Sequence, residues 1–393
     1  MRTLIELYDR RPFENVLSTD VFKPEFTVYI CSEELYRNKK AKARLEKYFR
    51  HRGLDTRCIF FPAKFYSAAS ILESLRQAAD ECPDCALDIT GGTDDALFAA
   101  GLLCAEKDIP VFTFSRRRNR FFSISNAPFA EGLECTVEYD VEDFFLMAGG
   151  SMRQGRVDNS ILQDYFDIID PFFRLYLAWR RRWGSIVNYI QRVSQAEKGT
   201  VPPLAVHGDY EVKGERGRRI KAPEGALREM EDIGLIENLR INRPKSVEFS
   251  FKDSQVRTWL RDVGSVLEIY TYKACVDSGL FNSVRTSVVV DWEADHRRDG
   301  VTNEIDVMAV RGTTPYFISC KTCDVKTEAL NELAILRGRF GGQAAKAAIV
   351  TAEYSTDVMR NRASELGIDV IDLDDLRRGN LRRRLRALVK SDK

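Results

Sequence analysis

Residues 86–97 read Ala-Leu-Asp-Ile-Thr-Gly-Gly-Thr-Asp-Asp-Ala-Leu, an apolar strand-like run that ends in paired glycines and opens into a helix. Gly91 and Gly92 let backbone N–H groups approach a ligand closely, Thr90 and Thr93 offer hydroxyls, and the helix N-terminus favours a phosphate. A tight turn with a threonine N-cap has the same local sequence, so the surroundings decide the meaning. Working outward, the apolar runs Thr3–Leu7, Phe26–Cys31, Arg57–Phe61 and Val111–Ser115 alternate with helical stretches near Lys39–Arg52, Ser70–Ala79 and Asp95–Glu106. This β/α alternation, up to about residue 126, predicts a mostly parallel sheet with helices on both faces. Ligands of such sheets bind beyond the carboxyl ends of the strands, where Asp9, Asn15 and Arg116 also fall. The turn lacks GxGxxG, which disfavours a nicotinamide dinucleotide. A long side chain at Gly92 is expected to fill the ligand space and leave the core intact.

At 393 residues the chain is long enough for two or three domains, and 44% hydrophobic with 30% charged residues fits a globular protein. No apolar run reaches the roughly 20 residues of a bilayer span, and acidic residues interrupt the start where a signal peptide is apolar, so the expected location is the cytoplasm, with no membrane partner. Nine cysteines, an odd and irregularly spaced number, imply reduced thiols, and the pairs Cys82/Cys85 and Cys320/Cys323 flank better-explained motifs. The net charge of +1 hides basic runs at Arg116–Arg120, Arg180–Arg182 and Leu381–Arg386. Such runs are most often solvated faces. His51, His207 and His296 have no spacing that implies a base.

Three stretches follow from this pattern: 1–150, an α/β ligand-binding domain; 151–253, connecting helices and a segment like a small winged helix at Leu227–Phe249; and 254–393, a second α/β unit. The last holds Gly264-Ser-Val-Leu-Glu268 at a helix start, then Asn303-Glu-Ile-Asp-Val307 and Phe317-Ile-Ser-Cys-Lys321 on two strands joined by a short loop. Alternation places Glu304 and Asp306 on one face, and Ser319 with Lys321 on one face. Pairing as a hairpin brings a carboxylate and an ammonium together, with Glu268 arriving from the preceding helix. An ordinary cross-strand ion pair explains Asp306 and Lys321 taken alone, but not three converging elements. Oxygen ligands of this kind suit Mg²⁺ or Mn²⁺, and a lysine can stabilise the charge of a reacting phosphate.

The Asp88–Asp94 turn, with the opening Glu6–Leu17 and the segment Tyr139–Ser151, resembles the CARF family, sensors of cyclic oligoadenylate in type III CRISPR systems. Glu268, Asp306 and Lys321, with Asn303–Val307, Phe317–Lys321 and Arg339–Gln343, resemble the PD-(D/E)XK nuclease branch fused to such sensors. The fold implied is an α/β, Rossmann-like CARF domain followed by a restriction-endonuclease-like α/β domain. The implied function is cleavage of RNA or DNA phosphodiesters by a homodimer that binds one cyclic tetra-adenylate across its two-fold axis, in antiviral defence. Ligand contacts carried over by the resemblance are Asp9, Asn15, Thr90, Gly91, Gly92, Thr93 and Arg116. Glu268, Asp306, Lys321 and Glu304 carry catalysis, and Glu268, Asp306 and the Cys320 carbonyl hold the cation; Glu332 and Gln343 are candidate supports. Ser319 departs from the broader pattern, which has an acid two residues before the lysine. The alternatives are a CARF transcription regulator using the winged-helix-like segment, a nucleic-acid-binding protein without cleavage, and a sensor that degrades its own ligand.

Overall fold

The structure, a computed structural model, describes residues 1–82, 84–155, 157–195, 200–214, 217–291, 302–342 and 344–390; His296 and Gln343 lie outside them. The N-terminal unit comprises β1 (Thr3–Leu7), α1 (Leu17–Phe22), β2 (Phe26–Ser32), α2 (Glu33–Arg37), α3 (Lys39–His51), β3 (Arg57–Ala63), α4 (Ala68–Glu81), β4 (Cys85–Asp88), α5 (Asp94–Glu106), β5 (Val111–Ser115) and β6 (Arg120–Ser125). Its six strands run β3-β2-β1-β4-β5-β6, with only β6 antiparallel. The central strands are largely apolar because both faces are covered: Leu4, Ile5, Val28, Ile30 and Leu87 are all buried, with Glu6 and Asp88 as buried acidic exceptions. Asn38, Ser67 and Thr93 start α3, α4 and α5, each side chain accepting a first-turn N–H. The strand order reverses between β1 and β4, which opens a crevice at their carboxyl ends.

The chain continues through α6 (Val141–Met147), β7 (Ser151–Gln154), α7 (Phe166–Trp179), α8 (Trp183–Val193), β8 (Ala205–Asp209), β9 (Glu211–Lys213), β10 (Arg219–Lys221), α9 (Glu224–Ile233), β11 (Ile236–Asn242), β12 (Ser246–Phe251) and α10 (Ser254–Leu260). Helix α9 leads through the αL residue Gly234 into the β11–β12 hairpin, as the winged-helix pattern predicts, and β8 pairs on the far side of β12. The remaining elements are α11 (Ser265–Asp277), β13 (Ser283–Asp291), β14 (Thr302–Arg311), β15 (Thr314–Lys321), α12 (Thr327–Gly341), β16 (Lys346–Thr351), α13 (Asp357–Glu365), β17 (Ile368–Ile371), α14 (Leu373–Arg377) and α15 (Leu381–Lys390). They form a mixed sheet in the order β17-β16-β15-β14-β13-β7.

The boundary expected at residue 150 falls just before β7, which pairs with β13, so the stretch expected to run from 151 to 253 contributes its first strand to the C-terminal sheet. Nor is the middle segment a loose connector. One continuous core joins Phe172 and Tyr176 of α7, Trp183 of α8 and Leu227 of α9 to Leu267 of α11 and Leu385 of α15. A second core joins Phe13 and Tyr139 to Phe144 and Phe145 of α6, and these to Leu333, Leu336 and Phe340 of α12. The Phe145 and Phe340 rings meet edge to face, 5.2 Å between centroids. The two α/β units are therefore packed on one another through α6. Among the described residues no helix is long and apolar enough to cross a membrane.

Candidate functional site

All seven residues expected to bind ligand gather at the carboxyl ends of β1, β4 and β5, but most of their polar groups are bonded within the protein. The Asp9 carboxylate reaches across the crevice to accept the Gly92 N–H at 3.0 Å, and also binds Arg11 through its Nε at 2.9 Å and Nη2 at 2.7 Å. Burial pushes the Asp9 carboxyl up, yet these donors outweigh it and hold it below its usual value. Asn15 is buried, accepting from Asp9 N and donating to Asp9 O, both at 2.8 Å. Thr90 donates to Asp88 through its hydroxyl and its N–H, while its oxygen accepts the Phe114 N–H at 2.8 Å. Arg116 lies 3.6 Å from the Phe13 ring centroid and donates to Glu14 at 3.1 Å. Asp9, Asn15, Thr90 and Arg116 thus brace the rim, and Thr93, exposed at the start of α5, faces solvent over it.

The two glycines hold this turn closed. A Cβ at Gly91 would come within 3.1 Å of Glu14 Cβ and 3.2 Å of Asp9 Cβ. Gly92 has φ +102°, and a Cβ there would sit 3.0 Å from the side chain of Leu7. The expectation that a long side chain at Gly92 spares the core is therefore corrected: it forces a conformation L-residues rarely adopt and presses on a buried leucine.

In the C-terminal unit, β14 and β15 form the expected antiparallel hairpin, with Val307 opposite Ile318. Asp306 consequently faces Ser319, and its Oδ2 accepts from Ser319 Oγ at 3.0 Å, Cys320 N at 2.6 Å and Lys321 Nζ at 3.5 Å. Burial raises the Asp306 carboxyl above its ordinary value although Lys321 and the other donors oppose it. Burial likewise works against the Lys321 ammonium, but Asp306 outweighs it and the pKa goes up. Lys321 thus sits as a positive charge beside the Asp306 carboxylate. Glu304, Asp306, Ser319, Lys321 and Glu332 line one cavity of about 30 Å³. Glu304 accepts from Ser287 Oγ at 2.7 Å, and Glu332 from Asn303 Nδ2 at 2.7 Å.

Glu268 sits one turn into α11, half-buried, outside the lining of that cavity. Its helix is seated on β15 through Thr271, whose Oγ1 lies 3.5 Å from Cys320 Sγ. The buried Cys320 thiol is pushed well up by burial, with Asp306 and Glu268 both adding to the shift. The Cys320 side chain packs on Thr271 of α11, while the carboxylates and carbonyls around Asp306 offer oxygen donors, which fit a hard divalent cation. Two supports escape the sequence reading: Thr286, which donates to the Asp306 carbonyl at 2.7 Å, and Ser287, at φ +52°. Only the register of β13 against β14 reveals them. A separate cluster of His51, Asp140 and Asp143 lies where α3 meets α6, with His51 Nε2 3.6 Å from Asp143 Oδ1.

The whole fold is similar to that of protein VC1899 from Vibrio cholerae, at 16% identity over 99% of this chain and 98% of that one, with a TM-score of 0.75. It is also similar to Can2 from Sulfobacillus thermosulfidooxidans, solved in complex with cyclic tetra-adenylate, at 16% identity over 99% and 96% of the two chains, with a TM-score of 0.68. At this identity both likenesses are of fold. No curated protein matches the chain by sequence. A family described as the Card1-like endonuclease domain matches residues 255–391, which include Glu268, Glu304, Asp306 and Lys321.

Proposed function

We propose that this protein is a metal-dependent endonuclease of type III CRISPR antiviral defence, working in the cytoplasm and switched on by cyclic tetra-adenylate bound to its N-terminal CARF domain. The observation that carries the reading is the meeting of Glu304, Asp306 and Lys321 around one cavity within the endonuclease domain. Mg²⁺ or Mn²⁺ would be held by Glu268, Asp306 and the Cys320 carbonyl, with Glu304 on the same face. Bound there, the cation supplies charge neutralisation at the phosphate and lowers the pKa of water. Ser319, Cys320 N–H and Lys321 fix the Asp306 carboxylate through Oδ2, so its orientation is set before substrate arrives. The Lys321 ammonium stabilises negative charge that develops on the phosphoryl oxygens.

The activator is proposed from the CARF resemblance together with the likeness in fold to Can2, whose structure holds cyclic tetra-adenylate. Helix α5 supports a homodimer. It starts at the Gly91–Thr93 turn, and it leaves Leu97, Phe98 (63% exposed) and Leu102 on the surface. A two-fold packing on α5 would hide these side chains and bring two ligand turns together. The test is incubation of labelled single- and double-stranded RNA and DNA with Mn²⁺ or Mg²⁺, with and without cyclic tri-, tetra- and hexa-adenylate. Cleavage requiring both metal and the tetra-adenylate is expected. Metal-independent cleavage, or no cleavage of any substrate under any activator, overturns the proposal.

A further inference from the structure

The basic turn Arg180–Arg182, outside the sites described above, borders a groove in the middle of the molecule. Arg181 and Arg182 on one side, and Arg218, Arg219 and Lys221 on the other, line a cavity of about 770 Å³ walled by Trp179. A second cavity, of about 370 Å³, shares Trp179, Arg181 and Arg182 and reaches Arg377 at the end of α14. Arg181, Arg182, Arg218, Arg219 and Lys221 are all exposed. Arg219 pairs with Glu211 at 3.3 Å, whereas Arg181, Arg182, Arg218 and Lys221 have no ion pair among the described residues. Like charges gathered in a concavity repel one another, and the field they focus there selects an anionic partner.

The arginine turn is joined to the strand that carries the catalytic lysine. Arg180 Nη1 donates to Ala352 O at 3.1 Å, and Ala352 N donates to Lys321 O at 2.9 Å. The turn that carries these arginines is thus tied through the main chain of Ala352 to the last residue of β15, whose side chain lines the nuclease cavity, and Arg180 itself is paired with Glu353. We infer that this groove holds the phosphodiester backbone of the nucleic-acid strand beside the segment being cut, with Trp179 as a wall on which a base can stack. The inference rests on the nuclease reading and adds to it the path of the substrate.

The experiment measures binding of fluorescent 20-nucleotide single-stranded RNA and DNA to the full-length Asp306→Asn protein by anisotropy, across a range of salt concentrations. The Arg181→Ala, Arg182→Ala, Arg218→Ala variant in the same background should bind at least tenfold more weakly. Its slope of log affinity against log salt should fall by about 2, since each lost single-strand phosphate contact removes about 0.7. Lysine at the same three positions should restore most of both. Unchanged affinity and slope in the alanine variant overturn the groove, even if the wild type cuts nucleic acid. Weakened binding by the variant, alongside a wild type that cuts nothing, upholds the groove and sinks the nuclease reading instead. The RNA and DNA arms decide which backbone is preferred.

Discussion

Asp306 Oδ2 collects three donors, so replacing the carboxylate alters both the metal site and the position of Lys321. Asp306→Asn and Lys321→Ala should each lower cleavage by roughly 10²–10³-fold while ligand affinity stays at the wild-type value. Wild-type rates in either variant would remove these residues from the active site. Ser319→Glu sets a second carboxylate against Asp306. Without metal it should destabilise the fold by roughly 1 kcal/mol, and with Mn²⁺ the loss should reverse and the concentration for half-maximal activity should drop. If thermal unfolding and the metal titration both stay put, Ser319 lies outside the coordination sphere. Asp88 behaves differently because it is buried beneath the glycine turn, and burial lifts its carboxyl to about 6 despite the bonds from Ser18 and Thr90. A folded-state pKa above the unfolded one means that folding takes up a proton between about pH 4 and 6. This carboxylate therefore costs stability at pH 7 and relieves the cost as pH falls towards 5. Asp88→Asn, which cannot ionise, should flatten that part of the profile by about 1 kcal/mol between pH 5 and pH 7, read from urea unfolding at the two pH values.

At the level of elements, most strands of both sheets were legible because strands covered on both faces are largely apolar runs, and the β14–β15 hairpin followed from alternation; β6 and β7 were not read. What escaped were elements defined by partners far away in sequence. Strand β7 is four residues of mixed character that pair with β13, and α15 reads as the basic run Leu381–Arg386 although Leu381, Leu385 and Leu388 are buried against the core. The ligand rim shows the same limit at finer grain. Sequence tells which loops converge after β1, β4 and β5, but not that Asn15 and Arg116 turn inward to Asp9 and Glu14. The structure accordingly moves the test of the rim from Gly92 to Thr93. Thr93→Asp keeps an oxygen for the α5 N-cap and places a negative charge where phosphates would lie. It should weaken cyclic tetra-adenylate binding at least tenfold without changing the melting temperature by more than a few degrees. An unaltered activation curve would mean that the ligand does not lie over the start of α5.

For the whole molecule, the proposed two-fold arrangement demands a stoichiometry of one ring per two chains, because a cyclic ligand with an even number of identical units can share the dimer axis. Calorimetry should give half a ligand per chain, and Phe98→Asp on α5 should yield monomers in light scattering that no longer respond to ligand. One ring per chain, or a dimer indifferent to Phe98→Asp, contradicts that assembly. Strand β7 carries a different consequence, for how such proteins can be recombined. The four residues that follow α6 and Gly149-Gly150 complete the C-terminal sheet by pairing with Ser287-flanking residues of β13. A cut after residue 253, where the second α/β unit was expected to begin, would therefore strip β7 from the effector and leave it with a bare, hydrogen-bond-hungry margin, prone to sticking to its own kind. Anyone grafting this detector onto a new output, or swapping its output for another, must place the splice before Ser151 or bring a substitute ribbon along.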